Sequence, residues 1–161
     1  MDDESLQKLK DYAFRLLSFR PRSKKEISDK LIRYSYKHHY SAGLIEKVLN
    51  ELSSGNYIND EEFAKWWLDQ RQSYKPKGLK AIRFELANKG VSRELIDKVT
   101  SFAKDGDNEL VLAQKLISKK INLWRNLSKL EQKKKISDLL LRRGFDWETV
   151  KRVIDATVSK D

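Results

Sequence analysis

The chain has 161 residues, 39% hydrophobic and 36% charged, a balance that suits several small cores better than one large one. Lys and Arg number 34 against 24 Asp and Glu, a formal net charge of +10, so nucleic acid or an acidic protein surface comes ahead of a membrane as partner. The absence of cysteine excludes disulfides, thiolate metal sites and thiol catalysis; with a polar Met1-Asp2-Asp3-Glu4 start and no apolar run of spanning length, a cytoplasmic protein is expected.

Two prolines and six glycines leave long stretches free of helix breakers. In chain order, helices are expected near 6–19, 24–36, 42–53, 60–73, 78–89, 93–104, 108–121, 129–143 and 147–158. They fall into three groups of three. The first helix of each group carries Ala13, Leu16 and Leu17, then Ala64, Trp67 and Leu68, then Ala113, Leu116 and Ile117, with Arg20, Arg71 or Lys120 at one common offset behind. The second helices contain Ile27 to Leu31, Ile82 to Leu86 and Ile136 to Leu140. Gly90 and Gly144 stand four residues past the last two of these leucines, where a left-handed residue ends a helix, while the first group has Ser35 there and a longer connection.

Ser41, Ser92 and Asp146 are N-cap candidates for the third helices. Tyr40, Val91 and Phe145 precede them and Ile45, Ile96 and Val150 follow at staple spacing. Ser23 with Glu26 and Ser128 with Glu131 read as capping boxes; Asn59 with Glu62 opens a helix similarly. Pro76 and Gly78 break the chain before 78–89, and Asp105-Gly106-Asp107 reads as a joint. The expectation is an all-α protein of three tandem three-helix repeats, about nine helices, over residues 1–58, 59–105 and 106–161, suited to an extended or curved arrangement. A monomer is expected.

Net charge is +3, +2 and +5 in the three repeats, as contact along a polyanion would require. The first junction between a first and a second helix carries Arg20, Arg22, Lys24 and Lys25, and the free N–H groups of the following helix would add to an anion site there. The second carries Arg71, Lys75, Lys77 and Lys80 around Tyr74. The third has Lys119, Lys120 and Arg125 with Trp124, then Lys133, Lys134 and Lys135. Tyr74 and Trp124 are candidates for stacking on a base. Any one lysine taken alone reads first as solvated surface, and Trp124 first as cover for the core. Trp67 fits the core register, while Trp66 and Trp147 are expected to pack. The pair His38-His39 reads as exposed loop, since a metal would need further convergent ligands. No phosphate loop, nucleophile elbow or zinc-protease motif occurs, so no enzyme and no cofactor are expected. Asp60, Glu61 and Glu62 suit the positive end of a helix dipole better than a metal.

Tyr12-Ala13-Phe14-Arg15-Leu16-Leu17 runs into Arg20-Pro21-Arg22-Ser23-Lys24-Lys25-Glu26-Ile27, which resembles the Tyr-Ala helix followed by Arg-Pro-Arg-Ser of the RecX family. Gly55 to Ala64 resembles its Gly-Tyr-hydrophobic-Asp-Asp stretch ending in Phe-Ala, and Gly78, Ile82, Glu85, Leu86, Lys89 and Gly90 match a third pattern. Arg142-Arg143-Gly144-Phe145 is a weaker fourth. Together these cover residues 9–155, in order. The departures are Asn56 inserted after Gly55, Asn59 in place of an acid, and an extra segment from Tyr36 to Tyr40. The resemblance implies a regulator that binds the RecA–single-stranded DNA filament and damps RecA recombinase, ATPase and coprotease activity, in DNA repair, recombination and the SOS response. The rival reading from the residues is a helix-turn-helix protein acting on duplex DNA.

Overall fold

The computed structural model describes residues 1–101, 103 and 106–158. Among these lie nine α-helices and no strand: α1 (Asp2–Phe19), α2 (Lys24–His38), α3 (Gly43–Ser54), α4 (Asp60–Ser73), α5 (Leu79–Asn88), α6 (Arg93–Ser101), α7 (Gly106–Ser118), α8 (Lys129–Arg142) and α9 (Trp147–Thr157), with a 3₁₀ turn at Ile121–Trp124. Helix α1 starts earlier than its apolar stripe because Asp2, Asp3 and Glu4 occupy its first turn, where carboxylates oppose the dipole. Helix α2 runs past Ser35, which is buried within it, and ends at His39 in the left-handed region (φ 59°), whose N–H donates to the Ser35 and Tyr36 carbonyls. His38 is therefore helical, with its ring tilted against Tyr34 at 4.3 Å between centroids. The other two second helices stop as expected, at Gly90 (φ 80°) and Gly144 (φ 88°). Of the expected Asp105-Gly106-Asp107 joint, Asp105 lies outside the described residues and Gly106 opens α7.

Capping follows the sequence with two exceptions. Ser92, Asp146 and Asn59 accept from Leu95, Thr149 and Glu62 N–H, and Ser128 with Glu131 forms the full box. Ser41 makes no side-chain cap, as α3 begins one residue later behind Ala42. Ser23 accepts from Glu26 N–H, but the Glu26 carboxylate turns to arginines instead of closing a box.

The chain divides into two compact units, Met1–Trp66 with Leu86–Leu95, and Trp67–Glu85 with Ile96–Asp161. In the first, α1, α2 and α3 bury Leu9, Ala13, Ile27, Leu31, Leu44, Val48, Leu49 and Leu52, with Tyr12, Tyr34 and Tyr40 packed against them. In the second, Ala113, Ile117, Ile136, Leu140, Phe145, Val150 and Val153 form the core of α7, α8 and α9. The stripe positions Ala64, Trp67, Ile82 and Leu86 are buried too.

Each unit contains one junction between consecutive repeats, and the two are built alike. In the first, Lys24 N–H, at the start of α2, donates to the Asp60 carboxylate at 2.8 Å, and the buried Ser23 hydroxyl donates to the Lys89 carbonyl at 2.6 Å. In the second, Leu79 N–H, at the start of α5, donates to Glu109 at 2.8 Å, and Gly78 N–H donates to the Arg143 carbonyl at 2.8 Å. Lys24 and Leu79 both stand three residues before the repeat's Ile; Asp60 and Glu109 both stand four before its Ala. These bonds satisfy donors that a helix start leaves without partners. A serine hydroxyl bridges the first junction. At the second the backbones meet directly, because a side chain at Gly78 would sit on the Gly144 carbonyl.

Two substitutions test these junctions by thermal and urea melts. Ser23→Ala is expected to cost about 2 kcal/mol, from a lost cap and a lost buried bond. Gly78→Ala is expected to cost about 2–3 kcal/mol through backbone displacement. A loss below about 0.5 kcal/mol in both would remove the junctions from the stability account.

Candidate functional site

The predicted basic residues divide into those that turn inward and those that face solvent. At the first junction Arg20 pairs with Glu26 at 2.6 Å, and its guanidinium lies 5.9 Å from the Trp66 ring centroid. Arg22 donates to the Leu16 carbonyl at 3.1 Å and lies 3.7 Å from the same Glu26, which Lys89 also approaches at 3.8 Å. These cations brace the turn. The helix start that sequence reasoning offered as an anion site already holds the chain's own Asp60, so the carboxylate read as serving its own helix serves α2. Lys24 and Lys25 remain exposed, Lys25 paired loosely with Asp29 at 3.4 Å.

The second junction shows the same economy. Glu85 accepts from Trp67 Nε1 at 2.8 Å, from Arg71 at 3.0 Å and from Lys77. Burial pulls this carboxyl upward, but the hydrogen bonds from Lys77 and Trp67 and the charges of Arg71 and Lys77 outweigh it, leaving it below the usual range. Arg71 and Lys77 are thus held by an acid. Lys80 lies apart, in a recess with Glu109, Asp146, Glu148 and Arg152. Burial pushes the Glu109 carboxyl up, Leu79 N–H draws it partly back, and the nearby Asp146 charge adds to the rise.

Three of the remaining predicted bases, Lys75, Lys119 and Lys120, converge. Tyr74, Lys75, Lys119, Lys120, Arg142 and Arg143 line one groove of about 490 Å³ over an apolar floor of Leu116 and Leu139, and no acid lines it. The Tyr74 ring is 79% exposed, with the Lys75 ammonium 5.9 Å from its centroid. Lys75 takes a left-handed conformation (φ 47°), a rare one for a non-glycine residue. Arg143 holds that turn by donating to the Lys75 carbonyl and to the Pro76 carbonyl, the latter at 3.2 Å. Lys120 sits at the repeat offset where Arg20 and Arg71 find acids, yet it faces the groove. Arg142 and Arg143 were absent from the predicted site. Their signal was present in the arginine pair just before the helix-ending Gly144, which read as a helix terminus and a weak family motif and not as part of the site.

The other candidates lie elsewhere. Arg125 is exposed just past the 3₁₀ turn. Lys134 and Lys135 flank Glu131 and Asp138, and Lys133 and Lys134 border a second groove beside α9. Trp124 is half-buried against the α7–α9 core, which leaves Tyr74 as the openly presented ring. No group of three metal-ligating side chains occurs among the described residues, and no helix there is long and apolar enough to cross a membrane.

Three family models match in sequence order: the first three-helix domain of RecX at residues 10–52, the second at 59–99 and the third at 107–154. The chain belongs to the RecX family. A regulatory protein RecX of Chlorobium limicola is 33% identical over 154 residues, spanning 96% of this chain and 92% of that one. One from Clostridioides difficile is 30% identical over 161 residues, spanning all of this chain and 73% of its own. In fold the chain is similar to the crystal structure of RecX from Lactobacillus salivarius, with a TM-score of 0.83, 23% identity, and 96% and 97% of the two chains covered. RecX proteins are regulators rather than an enzyme family, and the all-helical reading in three-helix repeats holds.

Opposite pH signatures are expected from Glu85 and Glu109. Glu85, lowered on folding, stabilises above the ordinary carboxylate range and loses that contribution as pH falls through its own pKa. Glu85→Gln should therefore cost about 1–2 kcal/mol near pH 7 and approach nothing in strong acid. Glu109, raised on folding, favours the fold below the ordinary range, and that contribution is lost as pH rises through its pKa. Glu109→Gln keeps an acceptor for Leu79 N–H without the buried charge, so it should match the parent in acid, exceed it near pH 7 and flatten its profile above about pH 4.5. Urea unfolding of each variant across that range checks both signs.

Proposed function

We propose that this RecX-family chain binds the RecA–single-stranded DNA filament and restrains it, lowering ATP turnover and with it recombinase and coprotease activity. The groove of Lys75, Lys119, Lys120, Arg142 and Arg143 takes phosphates of the strand, and Tyr74 stacks on a base or ribose. One observation carries this reading: five cations from the turn before α5, the end of α7 and the end of α8 meet beside an exposed ring with no carboxylate lining the groove. The cations held by Glu26 and Glu85 shape the turns, and at the first junction the contact falls to Lys24 and Lys25. A protein seated across neighbouring RecA subunits hinders the changes that filament growth and ATP turnover require.

The test is ATP hydrolysis by the cognate RecA on excess single-stranded DNA while this protein is added. Turnover is expected to fall at less than one protein per RecA. The triple variant Lys119→Glu, Lys120→Glu, Arg142→Glu should need at least about tenfold more protein for the same effect, because it loses phosphate contacts. Undiminished turnover at stoichiometric folded protein, together with tight binding to one duplex sequence, would replace the filament reading with a duplex-binding one.

A further inference from the structure

A second groove has a different character. Leu130, Lys133, Lys134 and Ser137 of α8 face Trp147, Lys151, Ile154 and Asp155 of α9 across about 550 Å³. The spacings, i, i+3, i+4, i+7 on one helix and i, i+4, i+7, i+8 on the other, each mark a single helix flank. Both flanks border the buried stripes of Ile136 and Leu140 and of Val150 and Val153. Trp147 was expected to pack, yet it is 56% exposed, and Leu130 is 79% exposed. The Asp146 cap sets the phase of α9 so that Thr149, Val150 and Val153 turn to the core and Trp147 to the groove wall. The lining is mainly apolar, with Ile154 packed on the core behind it.

Charge surrounds this apolar floor on both walls. Lys133 and Lys134 stand on α8 and Lys151 on α9, and none of the three makes a salt bridge among the described residues. Asp155 is the one acid on the lining. Cations that find no internal acid contrast with the paired Arg20 and Arg71, and they leave a positive rim around an open tryptophan and leucine.

From this we infer that the α8–α9 groove is a docking site for an acidic peptide segment of a partner protein, one with a large apolar side chain flanked on both sides by Asp or Glu. The apolar residue fills the space between Leu130, Trp147 and Ile154, and the flanking carboxylates meet Lys133 and Lys134 on one wall and Lys151 on the other. A buried aromatic or aliphatic anchor in a pocket, ringed by charge that sets orientation, is how short segments gain affinity. The aliphatic floor fits such a side chain better than a phosphate, which the arginine-bearing groove by Tyr74 suits. The inference does not depend on the filament reading, since it concerns another face of the protein.

Fluorescence anisotropy of a fluorescein-labelled peptide, one Phe flanked on each side by Asp and Glu, titrated with the full chain tests it. Binding is expected, weakened roughly tenfold or more when the peptide Phe becomes Ser, and equally by Trp147→Ala. Lys133→Glu with Lys151→Glu should weaken it too, and Lys119→Glu with Arg142→Glu should not. Circular dichroism melts confirm that these surface variants are folded. Three results would overturn the inference: no binding, binding indifferent to Trp147 and to the lysines, or loss in Trp147→Ala of affinity for labelled oligothymidine and not for the peptide. The last would make the groove a nucleic-acid surface.

Discussion

The first amide of a second helix is a donor that the helix itself cannot satisfy, and in this chain it is met by a carboxylate from the next repeat. Lys24 finds Asp60 and Leu79 finds Glu109, while the residue just before each amide reaches the carbonyl at the far end of the next second helix. The donors and acceptors left over at helix termini are thereby consumed in pairs. A three-helix repeat of this size buries little apolar surface for itself. Directional hydrogen bonds at the junctions supply what area alone does not, and they specify a geometry, which apolar contact does less sharply.

This use of acids also shapes the electrostatics. Glu26 and Glu85 gather Arg20, Arg22, Lys89, Arg71 and Lys77 around themselves and neutralise part of what reads in the sequence as a basic edge. The third repeat offers no acid at the corresponding place, and there Lys120 faces open space with Lys119, Arg142 and Arg143. The excess charge of the chain is thus uneven in effect: part of it is held by acids at the turns, and part meets without an acid in the groove beside Tyr74 and on the rim of the α8–α9 groove.

The helices, their order, most caps and the glycine stops at Gly90 and Gly144 were legible in the sequence, because each depends on residues within a turn or two of one another. So was the core, whose Ile, Leu and Ala positions recur by repeat. The extension of α2 was not, since nothing near Ser35 forbids another turn and the residue that ends it, His39, is no usual left-handed stop. The candidate groove was half legible. Its lysines stood out as base, but which cations would be claimed by Glu26 or Glu85 depends on tertiary contacts such as Arg71–Glu85 and Lys89–Glu26 that lie far beyond one helical turn in sequence. The roles of Asp60 and Glu109 were hidden for the same reason, although their common offset from Ala64 and Ala113 was there to be compared. Trp147 misled because an aromatic in a first turn reads as core, whereas its cap had already set the helix phase.

The shared amides carry one more consequence. Backbone protons in the first turn of a helix ordinarily lack an internal acceptor and exchange quickly with solvent. Those of Lys24, Leu79 and Gly78 are bonded across a junction instead. Their protection is then a property of the junction rather than of the helix that contains them, and it opens with the local equilibrium between neighbouring repeats. Each junction accordingly has a built-in clock at a known residue, and the rates at Lys24 and Leu79 compare a link closed by a carboxylate near solvent with one closed by a carboxylate that is buried.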